Sequence, residues 1–263
     1  EQAARHRGVA RVITGADLAD ICAPMISVHA GRPGHKSAPQ RVLAIEAAFW
    51  QGEPVAAVLA ETRAVAEDAA ELVIVDWQER PVVHDAALAL GPDSPVIHAV
   101  LGDNLAFAQT IEAGEPDTAF AEAEILVEQA FVFGRHTGVT LEPRNLIADY
   151  QAADGTLTVY QSHQSPFQMQ DLYSRMLGID EHKVRAITPD VGGGFGLKIN
   201  VHVEEIAVVA IARLIGRPVK YTADRLESFG SDIHARDHSA TGRIALTRAG
   251  DITAMEIDDL SAI

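Results

Sequence analysis

The sequence predicts an α+β protein built in two parts, and three observations carry that prediction. A strand, helix, strand succession stands between residues 54 and 77. Strand-like segments with turn signals between them follow beyond residue 125, and two apolar helices with recognisable ends are interleaved with them. The 263 residues, 48% hydrophobic and 22% charged, suffice for one large or two modest domains with their own cores.

Pro54 to Ala60 reads as a buried strand. Thr62 suits the N-cap of an Ala-rich helix running to about Ala70, because its hydroxyl can accept from an amide of the first turn. Leu72 to Trp77 then returns as a strand, and the order implies a crossover unit with short connections. The first hundred residues therefore read as mainly structural. Breakers gather at Gly91-Pro92-Asp93-Ser94-Pro95 and at Gly114-Glu115-Pro116. A domain boundary between them divides the chain into 1–105 and 106–263.

In the second part, Ile125 to Phe133 and Asn145 to Tyr150 have strand character. Asp154-Gly155 followed by Leu157 to Tyr160 signals a hairpin. Ser165 suits an N-cap and Pro166 the first helical position, where a missing N–H costs nothing. Phe167, Leu172, Met176 and Leu177 would supply the apolar contacts of that helix before Gly178 ends it. Lys183 to Ile187 is a strand, Val191 to Lys198 a Gly-rich loop, and Val203 to Ile215 a helix stopped by Gly216-Arg217-Pro218. Val219 to Thr222 resumes as a strand. His238 to Thr247 and Ile252 to Ile257 form a second hairpin through Arg248-Ala249-Gly250-Asp251.

Charge narrows the partners. Lys plus Arg number 21 against 37 Asp plus Glu, a net charge of -16, so the surface field repels phosphate backbones and anionic headgroups. Nucleic acid is excluded as a partner. Apolar runs such as Val55 to Ala60 fall far short of the roughly 20 residues of a membrane span. Cys22 is the sole cysteine, which excludes an internal disulfide, a Cys-rich zinc site and an iron–sulfur cluster held by this chain alone. A reducing, cytoplasmic setting fits. The start, Glu1-Gln2-Ala3-Ala4-Arg5, has neither an initiator Met nor a signal-peptide core, which suggests a fragment or a processed chain.

The strongest local feature is Val191-Gly192-Gly193-Gly194-Phe195-Gly196-Leu197-Lys198, between a strand and a long helix. Glycines there permit positive φ and close backbone approach, and amides ahead of a helix suit anionic oxygens. The loop is no P-loop, since Leu197 stands where Gly must precede the Lys, and it does not match G-x-G-x-x-G. Taken alone, the pattern suits a ligand loop and a purely geometric turn equally.

Three other constellations carry less. His234 and His238 have the spacing of helical metal ligands, but Ala235 replaces the Glu of H-E-x-x-H and no third ligand is evident. Glu204 and Glu205 are neighbours on a helix, about 100° apart, and read as a solvated helix end. Ser162-His163 lacks a G-x-S-x-G elbow and an acid partner, and His163 is expected to face solvent or a ligand pocket.

Pro189 to Lys198 resembles the Gly-Gly-Gly-Phe-Gly-x-Lys signature of the molybdenum hydroxylases, the family of xanthine dehydrogenase, aldehyde oxidoreductase and carbon monoxide dehydrogenase large subunits. His136 and Leu141-Glu142-Pro143-Arg144 resemble its His-x-x-Leu/Met-Glu-Pro-Arg stretch, and Tyr160 to Pro166 its Ser-x-Gln-x-Pro element. Gly216 to Lys220 and Arg225-Leu226-Glu227 also fit. Upstream, Gly8-Val9, Thr14 to Leu18 and Gly52 to Ala56 are similar to the family's α/β hammerhead domain. Several ordered motifs at compatible intervals are far more specific than one loop.

The resemblance implies an α/β hammerhead-like domain over 1–105, N-terminally incomplete, and the first part of a mixed α+β molybdopterin-binding domain over 106–263, C-terminally incomplete. It implies a molybdenum-molybdopterin cofactor, in the cytosine dinucleotide form, with the metal held by pterin sulfurs and by no protein side chain. By motif position, Gln164 would donate to an oxygen ligand of the molybdenum, while Phe195 and the backbone of Gly193, Gly194 and Gly196 would line the same side. The family's catalytic Glu would lie beyond Ile263, leaving this chain inactive alone. Ile199 stands where purine-oxidising relatives carry Glu, which favours an aldehyde, carbon monoxide or N-heterocycle as the small-molecule substrate. Iron–sulfur and FAD-binding subunits, with the rest of the molybdopterin-binding subunit, are the implied partners. Two other readings are a non-catalytic assembly module of the same fold and, more weakly, an unrelated nucleotide-phosphate-binding enzyme.

Overall fold

A computed structural model describes residues 1–27, 29–235 and 237–262, which form two compact units. The first comprises Glu1–Ser27, Pro39–Glu79 and Thr137–Ile233; the second comprises Val28–Ala38, Arg80–His136 and His234–Ile263. Helices and open sheets mix in the manner of an α+β protein, as the sequence predicts.

The first unit opens with β1 (Val9–Thr14), which pairs antiparallel with β2 (Ala56–Ala60). Between them α1 (Gly15–Leu18) starts with a capping box, in which the Asp17 carboxylate accepts from both the amide and the hydroxyl of Thr14 at 2.9 Å. The helix α2 (Arg63–Ala70) is capped as expected, with Thr62 Oγ1 accepting from the Val65 amide at 3.3 Å. The expected strand over Leu72 to Trp77 does not form. This segment has no ladder partner among the described residues, and Ile74 and Trp77 are exposed. Because β2 pairs antiparallel with the earlier β1, there is no parallel crossover here; β-branched residues favour a strand only where a pleated neighbour receives them.

The centre of the first unit is a four-stranded sheet in the order β6-β5-β4-β7, formed by β4 (Asn145–Gln151), β5 (Thr156–Gln161), β6 (Val184–Ile187) and β7 (Val219–Thr222). β4 and β5 make the predicted hairpin, with Asp154 Oδ1 accepting from the Thr156 amide and hydroxyl at the turn. β5 runs parallel to β6, and α5 (Pro166–Leu177) is the crossover between them. One sheet face, with Leu146, Ala148, Leu157, Val159, Val184 and Val219, is buried. α6 (Val203–Ile215) packs on β4 and β7, and α5 packs on β6 and α6. In α5 the stripe Met169, Leu172, Tyr173 and Met176 follows helical spacing into the core, whereas Phe167 points away and is 84% exposed. Phe167 thus makes none of the core contacts expected of it. In α6 every residue from Val203 to Ala212 is buried, Glu204 and Glu205 included. α7 (Arg225–Ser231), which the sequence reading did not place, starts with a capping box between Asp224 and Glu227.

In the second unit, α3 (Ala86–Ala89) and α4 (Pro116–Ala121) accompany an antiparallel sheet in the order β3-β8-β9. Its strands are β3 (Ile125–Phe133), β8 (His238–Leu246) and β9 (Ile252–Ser261), with Ile125 opposite Leu246 and Phe133 opposite His238. His238 begins a strand and His234 precedes it outside any helix, so the two do not share the helical face their spacing suggested. Among the described residues no helix is long and apolar enough to cross a membrane.

Candidate functional site

Two segments of the first unit meet where chemistry is concentrated. One is Ser162-His163-Gln164, between the end of β5 and the start of α5; the other is the Gly-rich loop, running through a short 3-10 turn at Leu197–Ile199 toward α6. Each residue of the triplet grips the loop. Ser162 Oγ accepts from Lys198 Nζ at 3.0 Å. The His163 ring bridges the Asn200 carbonyl at 3.2 Å and the Ser165 amide at 3.0 Å, so Nε2 donates and Nδ1 accepts. Gln164 donates its backbone N–H to the Lys198 carbonyl at 2.9 Å and accepts from the Gly196 amide on Oε1 at 3.2 Å.

His163 is therefore buried and does not face solvent, with both ring nitrogens taken by backbone groups; burial holds its imidazole below the ordinary value. It also explains how α5 begins. Ser165 occupies the N-cap without a side-chain cap bond, and its own amide is satisfied by His163 instead.

The loop itself is open. Among the described residues no acceptor is bonded to the amides of Gly193, Gly194 or Phe195, while those of Gly192 and Gly196 are engaged by Glu142 and Gln164. Gln164 Oε1 must face the Gly196 N–H, which fixes the flip of the amide and leaves both Nε2 hydrogens free. Gly194 makes this approach possible: a Cβ there would lie 2.5 Å from Cδ and Oε1 of Gln164. Phe195 has φ 52, in the left-handed region that costs a side-chain-bearing residue roughly 1–2 kcal/mol, and its ring is 79% exposed. The sequence-predicted residues Gln164, Gly193, Gly194, Phe195 and Gly196 are thus brought together, with Ile199 half-exposed beside them.

A second layer lies beneath. Glu142 Oε2 accepts from the Gly192 amide at 2.7 Å, the Ser162 hydroxyl at 2.5 Å and Lys198 Nζ at 2.7 Å, and Oε1 accepts from Asn145 at 3.1 Å. Partial burial alone would push this carboxyl up; the donors from Lys198, Ser162 and Gly192 outweigh it and hold the group down to about 2. Deeper still, Arg144 meets Asp232 at 2.6 Å, Glu204 at 2.5 Å and Glu205 at 3.8 Å, all buried. Burial drives Glu205 up to about 8, beyond what Arg144 offsets, and its Oε2 accepts a bond from Gln161 at 2.7 Å. Burial also lowers His202 to about 4, with Arg144 adding to the effect.

The pair Glu204-Glu205 is therefore no solvated helix end. Their partners Arg144 and Gln161 stand 60 and 44 residues away in sequence, beyond any local pattern. Sequence motifs alone give Glu142 and Lys198 no separate role at the site. The signal available was a Glu and an Arg flanking Pro143 in a loop, and a Lys closing a run of glycines.

A family model described as the molybdopterin cofactor-binding domain matches residues 97–262, and one described as the aldehyde oxidase and xanthine dehydrogenase a/b hammerhead domain matches residues 1–81. The carbon monoxide dehydrogenase large chain of Afipia carboxidovorans is 33% identical over 261 residues, covering 94% of this chain and 32% of the relative. The nicotine 6-hydroxylase large subunit of Paenarthrobacter nicotinovorans is 33% identical over 248 residues, covering 94% of this chain and 30% of the relative. Among solved structures, quinoline 2-oxidoreductase from Pseudomonas putida 86 superposes with TM-score 0.92 at 31% identity, over 98% of this chain and 33% of that one. The chain spans about a third of the length of these curated relatives.

Proposed function

The chain belongs to the molybdenum hydroxylase family, among large subunits of the xanthine dehydrogenase, aldehyde oxidoreductase and carbon monoxide dehydrogenase type, and from that premise we propose that it forms one wall of the molybdopterin site of such an enzyme. The observation that carries the proposal is the open donor surface of the loop: three unengaged amides beside two unengaged amide hydrogens of Gln164. Such a surface suits anionic cofactor oxygens, because these donors are not taken by protein acceptors among the described residues. Gly192 and Gly194 leave room where side chains would collide with Glu142 and Gln164, so the donors are held close rather than splayed.

In this reading Gln164 and the backbone of Gly193, Gly194 and Gly196 hold the cofactor, in its cytosine dinucleotide form, and Phe195 shields it from water. When bound, the molybdenum centre would supply the oxidation that inserts water-derived oxygen into an aldehyde, carbon monoxide or an N-heterocycle. Ile199, half-exposed beside the loop, offers no carboxylate to a purine, which supports an apolar or non-purine substrate. Electrons would leave through iron–sulfur and flavin modules on partner chains, in the cytoplasm. The chain divides in this reading into a hammerhead-like part over 1–105 and a molybdopterin-binding part over 106–263, against family-model matches over 1–81 and 97–262.

Metal analysis of the protein purified with its neighbouring subunits, together with oxidative release of a pterin nucleotide, tests the proposal. Molybdenum in one-to-one ratio with the chain is expected. Its absence from an intact assembly would leave only a scaffold of the same fold.

A further inference from the structure

We propose that Lys198 and Glu142 are positioning residues: the ion pair of the buried Lys198 with the partly exposed Glu142 locks both ends of the Gly-rich loop to Ser162 and Gln164, and so sets the register of the cofactor-facing donors. The inference rests on the reading of that loop as a cofactor site.

A lysine that closes a glycine run invites the assignment of a charge reaching for an anionic ligand. The structure assigns it the opposite direction. The Lys198 side chain is fully buried, and its ammonium donates inward to Glu142 Oε2 at 2.7 Å and Ser162 Oγ at 3.0 Å. The donors on the open face of the loop are therefore backbone and side-chain amides, and the Lys198 charge beneath it is paired with Glu142.

The connectivity makes this pair a clamp. One carboxylate oxygen receives the loop's first glycine, Gly192, the residue closing the loop, Lys198, and Ser162, two residues before Gln164. Lys198 is fixed at its other end as well, since its carbonyl accepts from the Gln164 amide at 2.9 Å. The Glu142 amide adds a return bond to the Gly192 carbonyl at 3.1 Å. Glycine leaves no Cβ to stiffen the backbone between these points, so the loop's conformation depends on its fixed ends. At Gly192 a Cβ would lie 2.5 Å from Glu142 Cβ, which shows how tightly the carboxylate's stem is pressed against the loop. Removing Glu142 leaves the Lys198 ammonium buried without its carboxylate, whereas removing Lys198 takes from the partly exposed Glu142 its only cation while Gly192, Ser162 and Asn145 still donate to it.

The test compares wild type with Lys198→Met, Glu142→Gln and the double variant, in the complete assembled enzyme. Hydrogen exchange of a peptide covering residues 190–199 reads the clamp with no cofactor needed. Both single variants are expected to raise exchange in that peptide by about tenfold or more while the sheet core keeps its protection. The rate of molybdenum loss on dilution should rise about 10- to 100-fold, the usual effect of removing a group that orients ligand-holding residues. The double variant should lose less than the two singles combined, because no unpaired charge remains. Should Lys198→Met fail to fold, Glu142→Gln, which keeps the shape and one acceptor, gives the same readings. Unchanged loop exchange in both singles would overturn the clamp. Looser exchange with unaltered molybdenum loss would overturn its role at the cofactor. A loop that loosens in an assembly whose wild type carries no molybdenum would support the clamp and sink the cofactor reading alone.

Discussion

Gly194 and Gln164 are fitted to each other: a methyl group on Gly194 would lie 2.5 Å from both Cδ and Oε1 of the glutamine, and the same Oε1 accepts the Gly196 amide. The glycine is required by a neighbour rather than by a turn, since Gly194, unlike Gly193 and Gly196, does not take positive φ. Orientation of one side-chain amide thus depends on the absence of a side chain opposite it.

Gly194→Ala is expected to fold, with a loss of about 1–3 kcal/mol from overpacking, and to displace Gln164 from the Gly196 amide. Molybdenum content of the assembled enzyme should fall with it. Urea denaturation and metal analysis check this; an alanine variant of unchanged stability and full metal content would show that the contact is not a constraint.

Gln164→Ala removes the free Nε2 donors and leaves the loop backbone in place. Turnover or cofactor retention in the complete enzyme should drop by about 10- to 100-fold, with far-UV circular dichroism unaltered. Kinetics and molybdenum content equal to wild type would argue against a role for this amide at the cofactor.

Arg144→Met should destabilise the chain by about 3–5 kcal/mol, because Glu204 and Asp232 would remain buried without the cation between them. The comparison is a denaturant titration. A loss under about 1 kcal/mol, the scale of a surface pair, would mean that water or protonation substitutes easily for the guanidinium.

Glu205 gives stability a definite pH dependence. Its carboxyl titrates near its ordinary 4.5 when unfolded and at about 8 when folded. Across that interval the folded chain holds one more proton than the unfolded chain, so this group's contribution falls as pH rises. Glu205→Gln, which keeps the shape without the titration, should flatten the decline, and the gap between the two proteins should widen from about pH 5 to pH 8. Parallel curves would show that Glu205 ionises normally in place.

Signals carried by a few adjacent residues were legible in the sequence. Asp154-Gly155 at the hairpin, Thr62 at the start of α2 and Pro166 opening α5 act through their own backbone or the next turn, and all appear as expected. Leu72 to Trp77 failed because a strand is completed by a partner, and β2 already has β1. The residues that meet at the Gly-rich loop were legible through ordered motifs spread along the chain. The layer beneath them was not: Glu142 reaches Gly192 and Lys198 across 50 and 56 residues, and the burial of Glu204 and Glu205 depends on the distant Arg144. Such polar clusters have no periodicity, and the same acidic pair on a helix is far more often solvated.

Gln164 and the 192–196 loop are proposed to form a wall of the molybdopterin site. Anomalous X-ray scattering at the molybdenum absorption edge, from crystals of the assembled enzyme, tests it most directly. A single molybdenum peak is expected on the open face of the loop, with Gln164 Nε2 the nearest side-chain donor this chain contributes. A peak elsewhere, or none in crystals of the intact assembly, would contradict it.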